Sequence, residues 1–482
     1  MIGQVRLSKI ELASFFKAYI FGSVIPLVRI STGLIRSKYV AVFLGLTGVG
    51  ALSQANQMQQ LGVTLGSLGL AVGVINRSRS FEGDEDSQNR VFGTSFTVHF
   101  LMSSLMLLVG VLFRKELTLS IFGSLDFVDE FLIALFSLPF YAMASGHLEG
   151  VLFGLDQYYL YIRGTVFATL LGFLSYFPLV YFYGISGAFL AFSFSGLVLF
   201  ASFLFYSLQH RTFLQVVSFR FDWDELKILL RFSGVLLLTG CLGYSCLLWM
   251  RGRISQELGI DMNGIAHMSM AMTSYYTPFL TNTMWGKFYP SVSRHGDTDA
   301  SHRQLGTMTQ LTVFLCTVMI LFVMLLQREI VLLAYTDAFF PALKIIPYQL
   351  LGDFFYFIWF LFGVYFMGVS SLRVYLVGWL FFYLGYPALT VYLLDSYQLM
   401  ALPMGYGLVS FLLALCSLLY LAISGKFADS ARTVWVVLGC LTGVILQVWL
   451  TLSEFGYLTR AILPLSSSGV LLLYWRAHRT DQ

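Results

Sequence analysis

About fourteen apolar stretches, each long enough to cross a lipid bilayer as a helix, follow one another through this chain. Their approximate limits are 13–36, 48–76, 90–113, 128–152, 158–182, 184–208, 228–249, 262–286, 304–326, 342–366, 372–394, 400–423, 432–451 and 459–475. Hydrocarbon offers the backbone no hydrogen-bond partner, so a spanning chain folds as helices or as a closed barrel, and runs of about 20 residues are the helical length. The expected fold class is therefore all-α and polytopic. Charged residues make up only 11% of the chain, against about 25% in a soluble domain, which excludes a soluble globular class. The longest connections, around 77–89, 209–227 and 287–303, are too short to hold a folded domain.

Spans 1–6 and 7–12 have similar lengths and are separated by the 209–227 connection. This segmentation predicts an N-terminal six-helix lobe over 1–208, a cytoplasmic inter-lobe loop over 209–227 and a second six-helix lobe over 228–425. An extra helix pair with a cytoplasmic tail fills 426–482. Placing the N-terminus in the cytoplasm puts roughly two thirds of the 29 basic residues on that side. Both termini are then cytoplasmic. Arg6, Lys9 and Lys17 precede an apolar stretch too long for a signal peptide, so that stretch reads as the first span. The five cysteines fall inside apolar runs with no CxxC or other metal-ligand spacing, and read as small buried hydrophobes. The net charge of +4 gives no nucleic-acid signature.

An ionisable or amide side chain inside a span is expensive and marks a candidate site. Arg29 lies well inside the first span, with Arg36 and Lys38 toward its outer end. Arg29 is either an interior cationic site or one half of a structural ion pair, and Arg36 and Lys38 either join that site or snorkel to the headgroups. In the second span Ser53, Asn56, Gln57 and Gln60 share one helix face. Four polar groups over two turns need protein or water opposite them, which points to a wet cavity. The eighth span carries His267 and Ser274 at sevenfold spacing, with Thr277, Thr281 and Asn282 close by. His267 either packs through a hydrogen bond or faces the same cavity. Asp353, in the tenth span, and Glu149, near the cytoplasmic end of the fourth beside His147, are candidates for ion coupling. Asp353 alternatively pairs with an arginine. Glycines such as Gly62-x-x-x-Gly66, Gly146-x-x-x-Gly150 and Gly439-x-x-x-Gly443 predict close helix packing.

Cations at membrane depth suit an anionic substrate, and amides and hydroxyls suit a polyhydroxylated one. A lipid-linked sugar phosphate combines both. Chemistry-bearing motifs of the GxxxxGK[ST], HExxH or GxSxG kind are absent. No cofactor is expected, and moving a substrate is favoured over transforming it.

The run Leu27–Gly50, with Arg29, Lys38, Gly45, Gly48 and Gly50, followed by Gln54 and Gln57, resembles the start of Wzx-type polysaccharide flippases. These belong to the multidrug/oligosaccharidyl-lipid/polysaccharide exporter superfamily. Three further stretches match in order: Arg253 before Gly264 with Phe288-Tyr-Pro-Ser-Val-Ser293, then Tyr348-Gln-Leu-Leu-Gly-Asp-Phe-Phe355, then Met404-Gly-Tyr-Gly407. The likeness is greatest to the enterobacterial common antigen group. Leu46 departs from the usual Pro, Ile265-Ala266 from the common Trp-Gln, and Tyr356 from Lys. The resemblance implies two six-helix lobes in a V around a central cavity, with Arg253 among its lining. It implies translocation of an undecaprenyl-pyrophosphate-linked oligosaccharide across a bacterial inner membrane by alternating access, beside the pathway's polymerase and chain-length proteins. A small-molecule exporter of the same fold is the alternative. A membrane enzyme of glycan assembly lacks the large catalytic loop it needs.

Overall fold

The computed structural model describes residues 28–426, 430–453 and 459–467. Expectations that fall on the remaining positions, among them the start of the first span, the end of the last and the tail, lie outside the described residues. Every regular element among the described residues is helical. Among the described residues eight stretches are long and apolar enough to cross a membrane, and the chain is a multi-pass membrane protein. Two of the eight, Tyr158–Ser207 and Leu372–Ile423, are 50 and 52 residues long, about twice what a bilayer needs.

The chain forms two compact units that divide between Leu248 and Trp249. The first holds α1 (28–43), α2 (Gly45–Ser67), α3 (Ala71–Ser80), α4 (Glu85–Leu112), α5 (Arg114–Phe122) and α6 (Val128–Ala142). A π-helical turn, Met143–Leu148, then leads into α7 (Glu149–Gly154). The long α8 (Tyr158–Ser207) and the short α9 (Phe213–Val216) follow. Helix α10 (Trp223–Leu258) runs through the division. The second unit continues with α11 (Ile260–Thr283), α12 (Tyr289–His295), α13 (Asp299–Leu325), α14 (Gln327–Ala334), α15 (Ile346–Gly368), α16 (Leu372–Tyr397), α17 (Ala401–Ile423), α18 (Ser430–Leu452) and α19 (459–467).

Lipid is as apolar as leucine, so association of these helices depends on close packing. On α2, a methyl group added at Gly62 would lie 2.7 Å from Leu138, and one at Gly66 would lie 2.9 Å from the Ala142 Cβ. The absence of side chains there is what lets α6 approach. Gly439 and Gly443 of α18, expected to pack in the same way, meet nothing within 4 Å. In the second unit α15 is buried along most of its length and lies against α13, α16 and α17. Trp359, Phe354, Phe357 and Phe362 are among the largest fully buried side chains.

Both double-length stretches are broken by one residue of left-handed backbone. Gly184 (φ 58°, ψ −130°) divides α8 where two spans were expected, 158–182 and 184–208. Gln398 (φ 47°, ψ −132°) divides α16 from α17. Other positive-φ residues recur in pairs: Gly45 with Gly259, Gly83 with Gly296, Asp156 with Ser370. Like Gly184 and Gln398, the members of each pair lie about 214 residues apart. The turn conformations of the first unit thus recur in the second, with glycine at both members of two pairs and different residues in the other two.

Charged side chains gather at helix ends, where water can reach them. The Arg77 guanidinium forms two 2.8 Å bonds to Glu225, and Arg211 pairs with Glu85 at 2.6 Å. Asp84, inside the acidic run 82–86, caps α4 by accepting from the Ser87 N–H at 3.1 Å. In the second unit Asp297 receives Lys426, His302 at 2.8 Å and the Tyr365 hydroxyl at 3.3 Å. This joins the α12–α13 turn to the ends of α15 and α17. Bonding to Lys426, and then to His302, holds the Asp297 carboxyl below its ordinary value. A lowered folded-state value means that the contribution is present above the unfolded value of about 3.9 and is lost as pH falls through the folded one. Asp297→Asn is expected to lower the thermal midpoint in detergent by about 2 °C at neutral pH. The variant should also show a smaller loss of stability than wild type on acidification below about pH 4, followed by tryptophan fluorescence.

Candidate functional site

Seven residues along a helix bring a side chain back to the same face two turns on. Arg29 and Arg36 stand in that relation on α1, with Thr32 and Gly33 between them; both arginines are exposed, and all four line one open cavity of about 290 Å³ in the first unit. The other walls are Tyr141 of α6 and both arms of α8. Thr165, Thr169 and Gly172 come from the first arm, and Ser195 and Leu199 from the second. The arms close on each other there, since a methyl at Gly172 would lie 2.3 Å from the Ser195 hydroxyl. Tyr141 donates to the Phe192 carbonyl at 3.0 Å, which fixes its ring at the wall. The cavity therefore offers two guanidinium groups and several hydroxyls beside apolar surface.

Neither arginine is neutralised by direct contact with an acid among the described residues. Arg36 sits 5.9 Å from the Tyr176 ring, within cation–π range. Arg29 acts through space on Glu149 and Tyr161. Two cations without bonded carboxylates keep their donors available for an anion, and a guanidinium pairs bidentately with phosphate oxygens.

The remaining sequence candidates are distributed elsewhere. Lys38 is half-buried two residues beyond Arg36. Asn56 and Gln60 are exposed on α2, and Gln57 is half-buried with its amide nitrogen lacking a partner among the described residues. None of the three lines the arginine cavity. On α11, His267 is half-buried, and Ser274 is exposed and donates to the Ala271 carbonyl at 2.6 Å. Arg253 forms an exposed pair with Glu257, one turn along the same helix. Glu149 is half-buried at the start of α7.

Asp353 is fully buried on α15 and accepts from three hydroxyls. Thr273 donates to Oδ2 at 2.6 Å, Tyr276 donates to the same oxygen, and Tyr406 donates to Oδ1 at 2.8 Å. Its bonded partners are hydroxyls from α11 and α17, not an arginine. Sequence reading named Ser274 and Thr277 on α11 but missed Thr273 and Tyr276. Thr273 and Tyr276 lie in the same polar turn of α11 as those two, and only the tertiary pairing with α15 singles them out. Arg251 was missed as well. It is buried and bonded to Asn263 at 3.0 Å, with Asn263 donating in turn to Ser255 at 3.0 Å. Arg251 and Arg253 are about 200° apart around the helix, so one faces inward while the other meets solvent.

Residues 50–344 match the family model described as polysaccharide biosynthesis protein. The chain is 24% identical over 372 residues to the lipid III flippases of Escherichia coli (strain K12) and Shigella flexneri, a stretch covering 76% of this chain and 88% of theirs. Among solved structures, the lipid II flippase MurJ in an inward closed conformation aligns with a TM-score of 0.67 at 15% identity, covering 95% of this chain and 99% of that one. An inward-facing multidrug resistance MATE family transporter of the MOP superfamily aligns with a TM-score of 0.65 at 16% identity, over 83% of this chain and 95% of that one. The chain shares its fold with these transporters. With more than half of its length matched, it belongs to the polysaccharide biosynthesis protein family.

Proposed function

We propose that this chain is a flippase that carries an undecaprenyl-pyrophosphate-linked oligosaccharide from the cytoplasmic to the periplasmic leaflet of a bacterial inner membrane. The observation that carries the reading is the cavity holding Arg29 and Arg36, in a chain whose curated relatives are named lipid III flippases. Pyrophosphate binds the two guanidiniums, and the sugar hydroxyls exchange hydrogen bonds with Thr165, Thr169 and Ser195. The polyprenyl tail stays in lipid. Lys38, Asn56, Gln57, Gln60, Arg253, His267 and Ser274 are further substrate-binding residues in this reading. The recurring turn conformations support two related six-helix lobes, 1–208 and 228–425, working by alternating access, with 426–482 as an appended helix pair. The Lys/Arg bias supports cytoplasmic termini. The glycan is a surface polysaccharide of the O-antigen or related kind, and the polymerase and chain-length proteins of that pathway act beside the flippase. Export of cationic drugs fits less well, because a cavity with two bare guanidiniums repels them.

Asp353 is the ion-coupling group in this reading, with Glu149 as a second one near Arg29. A carboxylate held by three hydroxyls can take a proton and still keep acceptor contacts.

In cells, Arg29→Ala/Arg36→Ala should leave the amount of membrane-inserted protein unchanged and reduce surface glycan more than tenfold, with lipid-linked oligosaccharide accumulating in the cytoplasmic leaflet. Lysine at both positions should restore part of the activity. Normal glycan from the double alanine variant would remove the cavity from the reading. Tyr406→Phe takes one donor from a buried carboxylate and should lower the stability of the detergent-solubilised protein by about 1–3 kcal/mol. Asp353→Asn should stay folded and lose the response of translocation to an imposed pH gradient in proteoliposomes.

A further inference from the structure

A second buried polar cluster lies in the first unit, apart from the arginine cavity. His99 of α4 and His147 of the π-helical turn are both fully buried, with ring centroids 6.1 Å apart. The π turn places one extra residue in the helix, a feature that recurs at functional sites. The glycine before His147 makes room for its neighbour, because a methyl at Gly146 would lie 2.1 Å from His99 Nε2.

The hydrogen bonds assign the ring protons. His147 Nε2 lies 2.9 Å from the Val216 carbonyl, and His99 Nδ1 lies 2.6 Å from the Ser95 carbonyl. A carbonyl only accepts, so both of those nitrogens carry hydrogen. His147 Nδ1, 3.1 Å from the Ser95 hydroxyl, then accepts from it, and the ring is neutral. His99 Nε2 carries a lone pair that is buried without a partner. Each ring therefore has one nitrogen able to take a proton.

The carbonyl that His147 holds belongs to the connection between α8 and α10, which Arg211 also ties to α4 through Glu85 and Gln88. Val216 is fully buried. The Phe219 ring packs 5.2 Å from Phe96, which packs 5.6 Å from His147. Thr94 accepts from the Asp222 N–H at 3.1 Å, and Thr97 lies 3.4 Å from the carbonyls of Ser218 and Arg220. The charged and titratable groups facing the rings are few. Only the other histidine acts on His147 through space, and no charged side chain acts on His99. The hydroxyl and carbonyl of Ser95 on α4 and the Val216 carbonyl supply the polar contacts around the pair. Glu149 on α7 couples instead to Arg29 and, across to α8, to Tyr161.

We infer that His99, Ser95 and His147 form a site for one proton, and that its uptake releases the 212–222 segment from α4. A second proton would place two cations at the ring separation already given, so the pair takes one. Among the described residues no carboxylate faces the rings, so the protonated ring is solvated only when water enters, and water enters when the segment covering His147 lifts. Protonation and docking therefore compete, and acid shifts the population toward the undocked segment. This inference uses neither Arg29 nor the substrate, and it stands apart from the flippase reading.

The test is amide hydrogen exchange on the full-length protein in nanodiscs, corrected for the intrinsic pH dependence of exchange. Between about pH 8 and about pH 5, exchange at 212–222 should rise roughly tenfold in the wild type. In His99→Asn/His147→Gln, the new amides keep the donors to Ser95 and Val216 but cannot titrate, and the rise should shrink below about twofold. An unchanged wild-type segment, or a full rise in the variant, overturns the inference. Should the variant misfold, ¹⁵N signals of histidine-labelled wild type decide. One ring must gain a proton over the same pH range as the exchange rise, and two silent rings overturn the proposal.

Discussion

Hydrocarbon cannot accept or donate a hydrogen bond, and the structure is organised around that restriction. Every backbone amide in a span has to be satisfied along its own helix, so the described chain is helical throughout. Among the departures from regular α-helix are single left-handed residues at Gly184 and Gln398 and the π turns at Met143–Leu148 and Met284–Phe288. The same restriction drives polar side chains together. Asp353 collects three hydroxyls, Arg251 collects an asparagine, and His99 and His147 share one serine. Charges that can reach water pair loosely at helix ends instead, as Asp297 does with Lys426 and His302.

The helical spans were legible in the sequence because their signal is one-dimensional, an apolar run of fixed length. The break at Gly184 falls where the limits 158–182 and 184–208 divide a continuous apolar run into two span lengths. The matching break at Gln398 falls between two expected spans, yet nothing about a glutamine signals left-handed backbone. Arg29 and Arg36 stood out as cations at helical spacing in a span, and they meet at one cavity. The amide stripe of α2 stood out equally and lies off that cavity. Shared polarity marks a helix face without saying what lies opposite it.

Pairings that depend on distant residues left no trace in the sequence. Thr273, Tyr276 and Tyr406 look like ordinary helix filling until α11 and α17 bring them to Asp353. His147 was visible only as a polar residue near a helix end. Its bond to Val216 spans 69 positions, and the π turn that aims it has no distinct composition. Arg251 and Arg253 differ by two residues and by their whole environment, which only helix phase separates.

The left-handed residues that divide the two double-length stretches have an uneven side. At Gly184 nothing stands within 4 Å of an added methyl, so any substitution is opposed by the backbone alone, at about 1–3 kcal/mol. At Gln398 that strain is already present in the native chain. Equivalent positions of the two halves therefore carry opposite mutational polarity: one is strained by losing its glycine, while the other is relieved by gaining one. A hairpin that holds its shape under strain is stabilised by the packing of its flanking helices. The second half of the chain thus supports its turn from outside, while the first half builds its turn from the residue itself.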